Sequence, residues 1–178
     1  SSNILKAMNR KHTIQEYSEI INKLRDAKPN IKFSSDFIIG YPGETETDFE
    51  QTIELIEKIK FINSYSFIYS VRPGTPASEL TNVETEVAKK RLIKLQKVLE
   101  KINSKSKNNF LNSSTEVLFE NKMKNQDKYF GRDKFLNSVV VESKKDLTGQ
   151  LLDVRINNFN HNCLFGKVIN TENKNCAT

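Results

Sequence analysis

The fold of the first half of this chain is decided by the stretch Ser34-Ser-Asp-Phe-Ile-Ile-Gly-Tyr-Pro-Gly-Glu-Thr45. Its first six residues complete a mostly apolar run of β-favouring residues from Ile31 to Ile39, and Gly40 follows this run. Such a run is typical of a strand buried on both faces of a parallel sheet. Thr45, with Asp48 three residues later, then predicts the capped start of a helix. The stretch therefore predicts a strand, a glycine-containing loop and a helix.

The elements on either side repeat this alternation. Apolar residues recur at helical spacing from Ile14 to Ala27, and a second β-favouring run covers Tyr65 to Ser70. Helix, strand, helix and strand in this order indicate right-handed βαβ units on a parallel sheet. Two strands cannot close a barrel, so we expect part of an α/β barrel. In such barrels the chemistry lies in the loops after the strands, here residues 40–44 and 71–77.

The pattern changes in the second half of the chain. A long helix is predicted from Glu84 to Lys107, with a polar linker at Asn103 to Asn109. Five short β-like runs follow, and they predict a small OB-like β-barrel: Thr115–Glu120, Lys128–Asp133, Ser138–Glu142, Leu151–Ile156 and Cys163–Ile169. We therefore expect an α/β domain at 1–108, a β-barrel domain at 109–172 and a frayed tail at 173–178.

Composition limits the class of protein. The 178 residues are 37% hydrophobic and 28% charged, as in soluble globular proteins, and no apolar run could cross a membrane. The chain lacks an initiator Met and a signal peptide, so we expect part of a longer cytoplasmic protein. Cys163 and Cys176 form no Cys-x-x-Cys pair, which argues against a disulfide framework or a self-contained zinc or iron–sulfur site. The net charge of +6 suits an anionic partner.

Three residues are candidates for ligand binding from their chemistry alone. Asp36 interrupts an apolar strand, where a carboxylate needs either a nearby backbone or Ser partner or a ligand in a barrel lumen. Arg10 could grip a carboxylate with its two-pronged guanidinium, or could be a solvated charge before a helix. Gly40 allows either a close approach of the backbone to a ligand or simply a turn.

Three segments in register resemble a known family, the MiaB-type radical-SAM methylthiotransferases that act on tRNA. They are Met8-Asn-Arg-Lys-His-Thr13, Ser34 to Thr45, and Tyr65-Ser-Phe-Ile-Tyr-Ser-Val-Arg-Pro-Gly-Thr-Pro-Ala77. The resemblance continues through Leu147 to Gln150 and Val154 to Ile156, and so covers nearly the whole chain.

The resemblance implies an enzyme that binds S-adenosylmethionine (SAM) on a 4Fe–4S cluster in a partial α/β barrel. One SAM yields a 5′-deoxyadenosyl radical, which abstracts hydrogen from carbon 2 of an isopentenyl-adenosine beside the anticodon. A second SAM supplies the methyl group, and sulfur comes through a second 4Fe–4S cluster. The implied partner is the anticodon stem-loop of tRNA, and we expect a monomer.

The resemblance also implies roles for particular residues. Those expected to contact SAM are Ser1 and Ser2, at the end of a strand, and Arg10, Asp36, Ile38, Gly40 and Tyr69. Asp36 and Arg72 are the candidate catalytic residues, and Arg72 follows the last strand near the expected entry of the target base. We expect the loops that hold Arg10, Asp36 and Arg72 to gather at one rim of the sheet.

The second domain resembles a TRAM module, a small RNA-binding barrel. The cations expected to contact RNA phosphates are Lys122, Lys124, Arg132, Lys144 and Lys145. Tyr129 and Phe130 are candidate stacking surfaces for bases. Because neighbouring residues of a strand face opposite ways, at most one of these two rings can lie outside the barrel.

One departure from the family is the absence of its three-cysteine cluster motif from these residues. We therefore expect neither cluster to be ligated by this chain, and the chain alone to be inactive. Three other interpretations stay open: an RNA-binding module whose α/β segment is only scaffold, a relative acting on threonylcarbamoyl-adenosine in tRNA, and an α/β fragment without a ligand.

Overall fold

This computed structural model describes residues 1–124 and 126–169, which form two compact units. The first unit runs from Ser1 to Asn103 and the second begins at Ser104. The expected domain limits at 108/109 and 172 stay predictions. The expected frayed tail, 173–178, lies outside the described residues. No helix in the described ranges is both long enough and apolar enough to span a membrane.

The first unit alternates helices with two short strands. Two of its helices begin with a capping box, in which Thr13 pairs with Glu16 and Thr45 with Asp48, and the predicted cap at Thr45 is confirmed. The elements are α1 (Ser2–Ala7), α2 (Ile14–Ala27), β1 (Asp36–Ile39), α3 (Glu46–Ile59), β2 (Tyr65–Ile68), a 3₁₀ turn (Pro76–Glu79) and α4 (Thr85–Asn108).

The two strands are parallel, as predicted, and pair from Asp36 with Tyr65 to Ile39 with Ile68. Helices α2, α3 and α4 cover one face of this sheet. The core contains Phe37 and Ile39 of β1 together with Ile21, Phe49, Ile56, Ile59, Phe61, Leu95 and Leu99. The opposite face is open: Ile38 is 45% exposed and Phe67 is 53% exposed. The sheet thus has one face packed against helices and one face that is largely exposed.

Two expectations about β1 are wrong. The strand begins at Asp36 rather than Ile31, and residues 31–35 are irregular. It also alternates between exposed and buried residues instead of being buried on both faces. An apolar sequence run does not distinguish these cases, because a strand facing a barrel lumen and a strand buried in a core both favour apolar residues.

The second unit is a closed five-stranded barrel, which confirms the OB-like prediction. Its strand order is β3-β4-β5-β7-β6, and β5 pairs with β7 in parallel while every other pair is antiparallel. The strands are β3 (Ser114–Lys122), β4 (Lys128–Asp133), β5 (Ser138–Glu142), β6 (Leu151–Phe159) and β7 (Cys163–Val168). Alternate residues of these strands, including Val117, Val139 and Leu164, fill the interior.

The predicted polar linker at Asn103 to Asn109 is instead helical, because α4 continues to Asn108. Lys107, near its end, is only 7% exposed and donates from Nζ to the carbonyl oxygen of His161. A buried lysine with such a partner ties the last turn of the helix to the β6–β7 loop. A polar sequence alone did not reveal that contact.

The core of the first unit provides a test of this packing. Leu95→Ala removes a fully buried side chain, and we expect the free energy of unfolding to fall by about 2–5 kcal/mol. Ile93→Ala, two residues away but 52% exposed, serves as the control and should change it by less than about 0.5 kcal/mol. Urea unfolding followed by circular dichroism measures both. Equal effects of the two variants would contradict the assigned core.

Candidate functional site

A cavity of about 410 Å³ in the first unit brings together the amino-terminal segment, β1 and α3. Four of the residues predicted to contact a cofactor line it: Ser1, Arg10, Asp36 and Ile38. Apolar side chains complete much of the wall, among them Ile4, Leu5, Met8 and Phe61. The cavity therefore combines one guanidinium and several carboxylates with an apolar surface, the mixture that small-molecule sites use.

The cavity runs along the edge of β1 that carries no partner strand among the described residues. Phe37 from the helix-covered face and Ile38 from the open face both line it. An unpaired edge presents backbone N–H and C=O groups that can accept another strand or a ligand. Both uses are therefore compatible with this geometry.

Arg10 and Asp36 are exposed, and neither forms an ion pair in the described part of the chain. The expectation that Asp36 interrupts an apolar strand is wrong, because Asp36 is the exposed first residue of β1. An exposed Asp36 needs no internal partner and is accessible to a ligand in the cavity.

Arg72 does not join Arg10 and Asp36 in this cavity. It lies in an exposed loop, four residues beyond the last residue of β2, and its carbonyl oxygen accepts from the N–H and hydroxyl of Thr75. Asp36 occupies the first pair of the parallel register. The expected common rim of Arg10, Asp36 and Arg72 is thus not formed, and the catalytic role of Arg72 stays a prediction.

The expected strand end at Ser1 and Ser2 is the start of a helix instead. Ser1 is the N-cap of α1, and Ser2 is its first residue. The Ser1 hydroxyl donates to Asp48 Oδ1 at 2.5 Å. Hydrogen bonds from the hydroxyls of Ser1 and Thr45 lower the pKa of Asp48, so this carboxylate is held ionised beside the cavity.

The loop between β1 and α3 is held by a buried ion pair that the sequence analysis missed. Arg91 of α4 lies 3.0 Å from Glu44 Oε1 and 3.0 Å from Glu46 Oε2, and it also donates to the carbonyl oxygen of Glu44. Glu44 Oε2 accepts from the Gly40 N–H at 2.7 Å. Glu44 therefore links the loop to α4, rather than serving mainly the start of α3.

Gly40 has a packing role in this arrangement. Its φ is +72°, and a Cβ there would lie 2.9 Å from Ala88 Cβ. Ala88 lies one turn before Arg91 on α4, so both residues bring the helix against the same loop. The contact of Gly40 with a cofactor stays a prediction. Arg91 lies within the long helix predicted from Glu84 to Lys107, and that pattern does not reveal its contact with Glu44.

Tyr69 lies just after β2 and packs edge-on against Tyr41, with ring centroids 5.2 Å apart. Its hydroxyl is buried and has no hydrogen-bond partner among the described residues. The Tyr41 hydroxyl, in contrast, donates to the carbonyl oxygen of Ala7. A buried hydroxyl without a partner is costly, so Tyr69 is a position where a ligand or water is expected.

The predicted RNA-binding cations of the barrel fall into two groups. Lys122 is paired with Asp127 and Arg132 with Glu120, each at 3.0 Å, and Lys124 lines the same shallow hollow as Lys122. Lys144 and Lys145 line a separate groove of about 860 Å³. The two stacking candidates also separate, because Tyr129 is buried in the core whereas Phe130 lies on the outside, beneath Arg132.

The described residues do not fit an iron–sulfur cluster. Within 1–124 and 126–169, no three His, Cys, Asp or Glu side chains are grouped to hold a metal ion. Cys163, in the barrel unit, is a free thiol. The cavity does fit SAM in kind, since Arg10 could pair with a carboxylate and the apolar wall could contact an adenosyl group.

Comparison with known proteins now defines the class. The family model described as Radical SAM superfamily matches residues 1–56, a range that contains all of the cavity-lining residues except Phe61. The fold and this match together define a radical-SAM protein whose open α/β unit is followed by an OB-like barrel.

Curated relatives identify the family within that class. A tRNA-2-methylthio-N(6)-dimethylallyladenosine synthase of Pelagibacter ubique is 49% identical over 99% of this chain. Proteins of the same name from Wolbachia pipientis subsp. Culex pipiens and a Jannaschia species are 44% and 41% identical over 93% and 95% of it. This chain belongs to that family of radical-SAM methylthiotransferases. It spans about two fifths of the length of these relatives, 40%, 38% and 37% respectively.

The buried ion pair between Arg91 and Glu44 yields a pH-dependent prediction. Arg91→Met leaves the carboxylate of Glu44 buried without its cation, and we expect a loss of about 3–5 kcal/mol in unfolding free energy at pH 7. Burial already raises the pKa of Glu44, and Arg91 opposes that rise. Without Arg91 the pKa rises further, so protonation on acidification should recover part of the loss.

Urea unfolding of both proteins between pH 7 and pH 5 measures this difference. Lys89→Met is the control, because Lys89 pairs with Glu86 on the exposed face of the same helix and should contribute less than about 1 kcal/mol at any pH. A loss in Arg91→Met that stays constant with pH would show that Glu44 does not titrate in response to Arg91.

Proposed function

We propose that this chain is part of an enzyme that methylthiolates carbon 2 of isopentenyl-adenosine in tRNA, beside the anticodon. The observation that carries the proposal is the 49% identity to such a synthase along nearly the whole chain. All the relatives described above bear the name of an enzyme for the dimethylallyl-bearing nucleoside. This favours isopentenyl-adenosine over threonylcarbamoyl-adenosine as the substrate. A cytoplasmic, monomeric enzyme remains our expectation.

The first unit is proposed to supply part of the SAM pocket. Arg10 is the side chain in the cavity wall that can pair with the carboxylate of SAM through two hydrogen bonds. Asp36 is exposed in the same wall and could accept from a hydroxyl or amino group of the cofactor. SAM, when reduced at a cluster, supplies the radical for hydrogen abstraction. The residues described here bind and orient it.

The open edge and open face of the small sheet support a longer parent protein. A further parallel strand can pair with the free edge of β1, and further strands can cover Ile38 and Phe67. Such strands would enclose the cavity on the side that now faces solvent. The iron–sulfur clusters, which the described residues do not fit, are proposed to be held by other parts of the parent.

The barrel is proposed to dock the tRNA. It carries exposed lysines and an outward-facing aromatic ring, the side-chain types that contact phosphates and bases. An enzyme that reacts at one nucleotide needs this second contact, because binding energy away from the reacting atom positions the target.

The function is tested on the full-length protein with reconstituted clusters, by nucleoside mass spectrometry of tRNA that carries isopentenyl-adenosine. In that protein, Arg10→Met should weaken SAM binding by about 10–100-fold, because a charge-assisted hydrogen-bond pair is lost. Lys11→Met, which removes a neighbouring exposed charge outside the cavity wall, should leave SAM affinity unchanged. Calorimetric titration with SAM gives both affinities.

Two outcomes would contradict different parts of the proposal, namely the substrate and the role of Arg10. Absence of the methylthio product from isopentenyl-adenosine tRNA, with product from threonylcarbamoyl-adenosine tRNA, would move the enzyme to the other substrate. Unchanged SAM affinity in Arg10→Met would show that Arg10 does not bind SAM, but it would not contradict the proposed reaction.

The 178-residue chain by itself should bind no 4Fe–4S cluster and show no methylthiotransferase activity, because the cysteine motif of the family is absent from it. Anaerobic reconstitution with iron and sulfide, followed by visible absorption and EPR spectra, measures this. The full-length protein treated in parallel is the positive control. A 4Fe–4S signal from the short chain would contradict the prediction.

A further inference from the structure

Two phenylalanines flank a valine on the outer side of the barrel, and none of the three belongs to the barrel core. Phe130 of β4 pairs with Val140 of β5, and Val140 pairs with Phe165 of β7. Val139 and Val141 fill the interior, so alternation places Val140 and its two partners on the outer side of the strands, where Val140 itself is buried. Both phenylalanine rings are only partly buried. An outward aromatic side chain that does not serve the core is available to a ligand.

Phe165 forms part of the floor of the 860 Å³ groove described above, together with Val140, Leu152 and Ile169. Four lysines line the same groove, and we call it the lysine groove: Lys128, Lys144, Lys145 and Lys167. They come from β4, from the loop between β5 and β6, and from β7. Positive charge from three separate parts of the barrel thus meets over an apolar, partly aromatic floor.

Two carboxylates, Glu142 and Asp146, also line the groove, but only one of its four lysines forms an ion pair in the described ranges. Lys144, Lys145 and Lys167 are exposed, and none has a carboxylate within ion-pair distance in the described ranges. Lys128 lies 3.6 Å from Glu142, a loose and exposed pair. Lys122 and Arg132, elsewhere on the barrel, differ from these three lysines because each is held at 3.0 Å by an acid.

A cationic groove with an aromatic floor matches an unpaired RNA strand. Phosphates of such a strand neutralise lysines, and its bases have free faces that can stack on an aromatic ring. A fully paired RNA helix offers phosphates and 2′-hydroxyls but hides its base faces in the stack. The combination of free lysines and Phe165 therefore favours unpaired over paired RNA.

We propose that the lysine groove binds an unpaired RNA segment, with Lys144, Lys145 and Lys167 on its phosphates and Phe165 stacked on one base. This inference rests on the proposed docking of tRNA by the barrel and specifies where the strand lies. It moves the main contact surface away from Lys122 and Arg132, two of the residues predicted from the sequence, toward β7, which the sequence analysis did not single out.

The test compares two triple variants of the 178-residue chain that lose the same charge from different surfaces. The groove variant carries Lys144→Gln, Lys145→Gln and Lys167→Gln. The control variant carries Lys122→Gln, Lys124→Gln and Arg132→Gln. Fluorescence anisotropy measures binding to a labelled anticodon stem-loop RNA and to a fully paired RNA of equal length, over a range of salt concentrations.

The groove variant should bind the stem-loop about 10–100-fold more weakly than the unchanged chain. Its plot of log affinity against log salt should be shallower by about 2, since each lost phosphate contact removes about 0.7 for single strands. The control variant should show less than half of either change. The unchanged chain should prefer the stem-loop to the paired RNA.

Phe165→Leu tests the stacking contact separately from charge. It keeps an apolar residue on β7, and circular dichroism verifies that the barrel stays folded. Affinity for the stem-loop should fall about tenfold with no change in salt dependence, because stacking involves no counterion release. Ultraviolet cross-linking of a stem-loop containing 5-iodouridine should attach the RNA to the peptide that contains Phe165.

The outcomes separate this inference from the proposed function. If the unchanged chain binds the stem-loop but the control variant loses as much affinity as the groove variant, or more, the location is overturned and tRNA docking stands. Preference for fully paired RNA overturns the unpaired strand as the occupant. If the unchanged chain binds neither RNA, both the groove inference and the docking role of the barrel fail.

Discussion

The first unit depends on one buried interaction, the contact of Arg91 with Glu44. A carboxylate that is 9% exposed and a guanidinium that is 7% exposed are costly to bury singly, so neither tolerates the loss of the other. Through Glu44 the pair fixes the Gly40 N–H, and with it the path of the chain between β1 and α3. The short parallel sheet has only four residues in each strand. Its loop geometry is therefore set from outside the sheet, by a helix nearly fifty residues later in the chain.

The two units achieve stability in different ways. The barrel closes on itself, so each strand has a partner on both edges and its interior is sealed by alternate side chains. The α/β unit leaves one strand edge and one sheet face without cover in the described residues. A closed barrel suits a module that contacts a partner with its outer surface. An open sheet suits a piece that is completed by the rest of a longer protein.

Much of the architecture could be predicted from sequence, because local signals and the tertiary fold agree there. The capping box at Thr45, the parallel β1–β2 pair and the five barrel strands all follow from patterns a few residues long. The candidate site was harder. The exposure of Asp36, the position of Arg72 and the role of Arg91 depend on which faces meet in three dimensions, and an isolated charged residue carries no record of its partner. The lysines show the same limit, since the sequence does not reveal that Lys122 forms an ion pair with an acid and Lys144 forms none in the described ranges.

The strand order of the barrel has a consequence for its synthesis. β7 inserts between β5 and β6, and its parallel pairing with β5 joins residues about 25 positions apart. Since a nascent chain emerges from its amino end, the first four barrel strands leave the ribosome before the strand that seals them. Until β7 arrives, the edges of β5 and β6 stay open to wrong partners, and closure awaits a late, non-local contact. A chain that is truncated or stalled within the last strand would therefore have an open barrel, which could aggregate and could be bound by chaperones.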